Sequence, residues 1–289
     1  MNASMQRAPD EIAKGSGSSF LVSFRVLDRD QQRAMTAIYA FCRLADDAAD
    51  DADAARDGAE RVAFLRAELE RARAQAATTP VGHALAAAIA RYGVDPVHFT
   101  AILDGVGVDL AGARFEDIAM LLSYCDKVAG AVGLACLPVF GTRDVGAERY
   151  AVNLGRALQL TNIARDIHAD AQVGRVYLPQ AWLRELGIEI PWLMGKGPAA
   201  VYAPGGAVDR VVQRIVEEAR AQFSLARFAL SGIARPRVLL PAEIMGAVYA
   251  DVLVRVARAG GAGVASGVRA RVPRWRKLWL AWRTSRRLR

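Results

Sequence analysis

The chain has 289 residues, 53% of them hydrophobic, and a formal net charge of +8. That length and composition build a globular core and exclude a disordered chain. They also leave no stretch of the roughly 18–20 uninterrupted apolar residues that a membrane-spanning helix needs.

Residues 1–18 read as a flexible lead-in, with Asp10 and Glu11 ahead of a Gly/Ser cluster and no apolar run of a signal peptide. From Phe20 onward the pattern is helical. The runs Gln31–Asp50, Ala59–Ala77, Val81–Arg91, Val97–Leu110, Ile118–Val139, Ala147–Asp170 and Val208–Leu230 combine helix formers with apolar residues three or four apart. The most apolar part, Val128 to Gly141, is short, carries Pro138 and reads as a core helix. No run alternates with period two for long enough to suggest a sheet. Breakers at Asp57-Gly58, Thr78-Thr79-Pro80, Gly93 to Pro96, Gly141-Thr142 and Gly187 separate the helices. Residues 191–207, with four Gly and three Pro, read as a surface loop. The Gly-rich stretch 260–267 reads as a hinge before a basic tail, and it matches neither GxGxxG nor a Walker motif. The fold class is therefore all-α. It comprises a helical domain over 19–268 between the lead-in and a basic, Trp-rich tail at 269–289.

Cys42, Cys125 and Cys136 form no CxxC pair and no disulfide framework, which suits a cytoplasmic protein. His83, His98 and His168 are too far apart in sequence for a zinc cluster. From Val252 to Arg289 there are ten Arg, one Lys and no acidic residue, so residues 1–251 carry −3 of the net +8. A basic tail holding Trp275, Trp279 and Trp282 suits an anionic membrane surface or an anionic substrate, and nucleic acid is not expected as a partner.

Two polar stripes carry the chemistry. Tyr39, Arg43, Asp46 and Asp50 stand at offsets 0, 4, 7 and 11, one face of a helix. Carboxylates one turn apart repel each other, and a divalent cation between them resolves the repulsion. A solvated acidic face explains the same letters. Gln159, Asn162, Asp166 and Asp170 repeat the pattern at offsets 0, 3, 7 and 11. Here the rest of the helix is apolar (Leu154, Leu158, Leu160, Ile163, Ile167), so the stripe must face something polar inside the protein. Two such helices across a cavity would hold Mg²⁺ and, through it, a diphosphate. The cavity beyond has to be apolar, to seat a prenyl chain and keep water from a carbocation. A third feature, Gly15 to Phe20, offers backbone amides and hydroxyls to phosphate oxygens, as any Gly/Ser linker would. A helical scaffold that docks on membranes or nucleic acid is the reading from another class, and it gives the aspartates no task.

These motifs together resemble the squalene/phytoene synthase family from about Ser16 to Lys277. Ser19-Phe20, then Ala37 to Asp50, look like its first aspartate-rich region. Gln159 to Asp170, closed by Gly174 to Pro179, looks like its second, and Tyr124 to Gly133 like the helix between. The resemblance implies a single-domain isoprenoid-synthase fold with a central apolar cavity. It implies Mg²⁺, with Mn²⁺ able to stand in, on Asp46, Asp50, Asn162 and Asp166, and a catalytic set of those three aspartates with Asp170 and Tyr39. Substrate contacts are implied for Ser16, Gly17, Ser18, Ser19, Phe20, Tyr39, Arg43, Tyr124, Gln159, Arg165, Tyr177 and Tyr249. Some members carry His where this chain has Ser16. Within the family the likeness is to the bacterial presqualene diphosphate branch of hopanoid pathways. That branch couples two farnesyl diphosphates without NADPH and leaves squalene formation to downstream enzymes; phytoene or (dehydro)squalene synthesis is the alternative product. A place at the inner membrane face is the accompanying expectation.

Overall fold

Helix after helix follows the apolar spacing, and no strand forms among the described residues, which are 3–15, 23–50 and 54–288 of this computed structural model. Helix α1 is Pro9–Gly15, α2 Arg29–Asp50, α3 Ala54–Arg73, α4 Pro80–Tyr92 and α5 Val97–Leu110. Then come α6 (Ile118–Cys125), a single π-helical turn (Asp126–Gly130), α7 (Ala131–Phe140) and α8 (Val145–Gln172). Three short pieces, Gln180–Glu185, Ile190–Leu193 and Ala199–Tyr202, lead to α9 (Ala207–Ser231), α10 (Leu240–Ser266) and α11 (Arg274–Arg287).

The punctuation is local chemistry. Thr79 caps α4 by accepting from the Gly82 amide at 3.0 Å, and Pro80 starts the helix where its missing N–H costs nothing. Asp117 caps α6 and Asp144 caps α8 in the same way. The 28-residue α8 joins two cores. Its first half packs Tyr150, Ala151 and Leu154 with α2, α5 and α7, and its second half packs Leu160, Ile163 and Ile167 with α6, α9 and α10. Gly155 lets α8 touch the π-helical turn, since a Cβ there would lie 2.7 Å from the Gly130 nitrogen.

Three expectations need correction. The N-terminal segment is not a flexible lead-in over 3–15, because Met5, Ile12 and Ala13 are buried in the core. Residues 191–207 hold two short helices, with Tyr202 donating to the Trp192 carbonyl at 2.7 Å. The Gly-rich stretch is no open linker, because α10 continues to Ser266 as two helical segments. It kinks at Gly260 (φ 51°), where Asp209 accepts from the Gly261 amide at 2.9 Å. The run Ile118–Phe140 is long and apolar enough to cross a bilayer by length and composition, although Asp126 and Lys127 interrupt it. Asp126 within it accepts two 2.6 Å bonds from Arg156, and Val128, Val132 and Cys136 face an internal cavity.

Candidate active site

The two polar stripes face one cavity of about 810 Å³, within the range of ligand pockets. Helix α2 contributes Tyr39, Arg43, Asp46 and Asp50, and α8 contributes Gln159, Asn162, Arg165, Asp166 and Asp170. Beyond this polar end the wall is apolar: Ile38, Ile102, Val106, Val132, Leu137 and Met245. Tyr124, Tyr177 and Tyr249 also line it. Helical periodicity thus placed every carboxylate of both stripes on the cavity. Ser16, Gly17, Ser18, Ser19 and Phe20 lie outside the described residues.

Burial, and then a neighbouring carboxylate, raises two of these carboxyls. Asp46 opens onto the cavity yet is ringed by protein, and that burial, with Asp50 beside it, pushes its carboxyl up to about 7. Burial and the neighbouring Asp166 push Asp170 up to about 7 as well. Asp166 is itself buried, but the guanidinium of Arg165 (2.9 and 2.6 Å) and that of Arg269 (2.7 Å) hold it below the usual range. Arg175 donates to Asp50 at 2.5 Å and to the Ala49 carbonyl at 2.6 Å.

These donors fit a hard divalent cation. Arginines already neutralise Asp50 and Asp166, and the buried Asn162 Oδ1 has no hydrogen-bond partner. Among the described residues no three His, Cys, Asp or Glu side chains converge into a closed cage. The oxygens sit instead on two walls, the arrangement Mg²⁺ uses when substrate phosphates complete its shell.

A model of squalene/phytoene synthase matches residues 13–276. The chain belongs to the squalene/phytoene synthase family. It is 36% identical over 262 residues to the presqualene diphosphate synthase of Zymomonas mobilis, covering 88% of this chain and 86% of the relative. It is 38% identical over 240 residues to that of Rhodopseudomonas palustris, covering 82% of each. The crystal structure of a ligand-bound dehydrosqualene synthase superimposes with a TM-score of 0.84 at 25% identity, over 97% of this chain and 95% of that one. The isoprenoid-synthase fold and the prenyl-transferase class expected from the motifs follow from that membership.

The family's motif likeness did not single out Asp109, which lines the same cavity from the end of α5. Its Oδ1 accepts from Tyr177 at 2.8 Å and from Tyr124 at 2.9 Å, and its Oδ2 from Tyr124 at 3.0 Å. Phe115 packs against both phenol rings, at 5.1 and 6.2 Å between centroids. Burial pushes the Asp109 carboxyl up, and burial beside that carboxylate pushes both phenols up. Arg175, inside the Gly174 to Pro179 motif, lines the cavity as well. Neither residue repeats at helical spacing, so only the folded chain brings them to the site.

Proposed function

We propose that this chain condenses two molecules of farnesyl diphosphate head to head into presqualene diphosphate. The observation that carries the reading is one cavity with two carboxylate-bearing helix faces at its polar end and apolar walls beyond. The similarity to presqualene diphosphate synthases over most of the chain supports that product. Asp46, Asp50, Asn162 and Asp166, with Asp170 alongside, would hold Mg²⁺, which supplies Lewis-acid charge to weaken the carbon–oxygen bond of the leaving diphosphate. Arg43, Arg165 and Arg269 present guanidinium groups to diphosphate oxygens, and Gln159 and Tyr249 offer neutral donors. Ile38, Val106, Val132 and Leu137 exclude water from the allylic cation.

The enzyme works in the cytoplasm against the inner face of the membrane, and hands its product to enzymes that carry it on to squalene. The support for this place is α11. Trp275, Leu278, Trp279 and Trp282 share one exposed face of it, while Leu280 and the Arg276–Asp251 ion pair fasten the other side to the body. A helix with indoles outward and arginines among them suits an anionic bilayer.

The deciding experiment supplies farnesyl diphosphate and Mg²⁺ to the pure protein and identifies the product by mass. Presqualene diphosphate, unchanged on adding NADPH, supports the reading. Squalene formed with NADPH, or turnover of geranylgeranyl diphosphate alone, overturns it.

A further inference from the structure

Two allylic diphosphates joined head to head give one coupled diphosphate, one free diphosphate and one proton. That proton leaves carbon when the last carbon–carbon bond closes, so something in the cavity must take it. We propose that Asp109 is its final acceptor, reached through the phenol of Tyr124 or Tyr177. The proposal rests on the head-to-head reading.

The inventory of the wall leads there. Asp50 and Asp166 answer arginines in this structure, and all four stripe aspartates, Asp46 and Asp170 included, answer Mg²⁺ in the reading above. No histidine lines the cavity among the described residues. Cys42 and Cys136 are thiols that burial pushes up, Cys136 to about 12, which leaves them protonated. A second phenol–carboxylate pair exists, Tyr150 donating to Glu243 at 2.7 Å, but Arg287 stands 3.4 Å from that carboxylate. Tyr150 also lies twelve residues before Asn162 on α8, about 18 Å up the helix from the polar end where the reacting carbons sit.

Asp109 has the geometry the others lack. Each phenol gives its one hydrogen to the carboxylate, so the remaining lone pairs of both phenolic oxygens are acceptors. Phe115 and the stacking of Tyr124 on Tyr177, 5.5 Å between centroids, fix the rings. In the step, the C–H bond beside the cationic carbon breaks and its electron pair closes the carbon–carbon bond. The proton goes to the phenolic oxygen while that phenol's own hydrogen passes to Asp109. A cation and a carboxylate become a neutral skeleton and a carboxylic acid, with no oxidant or reductant involved. Burial raises the Asp109 carboxyl, which favours the acid it becomes. The acid returns its proton to water when product leaves.

The test separates ionisation from coupling. Asp109→Asn keeps the volume and one acceptor oxygen but cannot take a proton. Diphosphate release and coupled product are measured together on the full-length protein with farnesyl diphosphate and Mg²⁺. The expected result is a coupled product lowered about 10²-fold or more, the usual weight of general acid–base catalysis. Diphosphate release should persist within about tenfold, with farnesol replacing the coupled product. Asp109→Glu, which retains a carboxylate, should recover part of the coupling. Tyr124→Phe or Tyr177→Phe should reproduce the split and name the relaying phenol, and these serve if Asp109→Asn fails to fold. A wild-type coupling ratio in Asp109→Asn, or equal loss of release and coupling, overturns the proposal in favour of the leaving diphosphate as base or of a packing role. Absence of coupled product from the wild type itself overturns the head-to-head reading instead.

Discussion

Arg175 reaches from the loop after α8 back to Asp50, the last residue of α2, donating to its carboxylate at 2.5 Å. The same guanidinium holds the Ala49 carbonyl, so it ties together the ends of the two helices that carry the acidic stripes. It also competes with any cation for Asp50. Arg175→Gln should therefore tighten Mg²⁺ binding to the substrate-free enzyme, read by calorimetry, because a positive charge leaves the site. It should at the same time lower turnover about tenfold or more, since the α2 wall loses its tether. Weaker Mg²⁺ binding in the variant would contradict the competition.

The oxygens proposed as cation ligands give a second prediction. Asp46→Ala, Asp50→Ala, Asn162→Ala and Asp166→Ala should each lower turnover by about 10³-fold, the equivalent of about 4 kcal/mol. Circular dichroism should show the helical content of the wild type, because three of the four residues spend the substrate-free state on arginines or cavity space rather than in the cores. Near-full activity of Asp46→Ala with Mg²⁺ would show that the ion, if needed, sits elsewhere.

Glu68 governs acid stability far from the site. It is 3% exposed and accepts from the Thr78 and Thr79 amides at 2.7 Å, from both their hydroxyls at 2.9 Å and from Arg71 at 2.7 Å. Burial alone would raise this carboxyl, yet these donors overrule it and hold it at about 2. A folded value below the unfolded one stabilises the protein above the ordinary glutamate range, and that stability disappears as pH falls toward 2. Glu68→Gln should thus cost roughly 2–3 kcal/mol at pH 7. Denaturant melts of the two proteins should converge as pH drops from 5 to 2. A gap that stays constant over that range would assign the cost to packing.

What could be read in advance was what repeats along one helix. The stripes Tyr39-Arg43-Asp46-Asp50 and Gln159-Asn162-Asp166-Asp170 show at a spacing of three or four, and both face the cavity. Helix α10 escaped notice because its last third is Gly-rich. The kink at Gly260 is stabilised by Asp209, 51 residues earlier, which no local pattern reveals. Asp109 escaped for the same reason, since its two phenols come from 15 and 68 residues further along the chain. Arg269, at the start of a basic tail that suits an anionic substrate, closes the site on Asp166.

The tail beyond Arg269 yields the last prediction, because its two sides do different work. At about 100° per residue, Arg276, Leu280 and Arg287 share one side of α11, and there they meet Asp251, the core and Glu243. Trp275, Leu278, Trp279 and Trp282 fall well away from that side, with Trp275 66% and Trp282 57% exposed. Arg283 stacks on Trp279 at 5.3 Å and Arg286 on Trp282 at 5.1 Å, which sets cations at the border of the apolar stripe. Each basic residue near an anionic surface contributes about 1 kcal/mol, so binding should weaken steeply with salt. Only five residues lie between Arg269 at the cavity and Trp275, at most about 20 Å of extended chain, so a bilayer under α11 would lie beside the mouth. The triple variant Trp275→Gln, Trp279→Gln, Trp282→Gln leaves Leu280 and both ion pairs in place. It should keep wild-type turnover on detergent-dispersed substrate and lose sedimentation with phosphatidylglycerol vesicles, while neither protein binds phosphatidylcholine vesicles. Truncation after Lys277 should lose vesicle binding too, but with a lower melting temperature, because it also removes Leu280. If the triple variant binds phosphatidylglycerol as the wild type does, the indole face does not meet the membrane. A wild type that instead dimerises through α11, and a variant that stays monomeric, would make the partner a second copy of the chain.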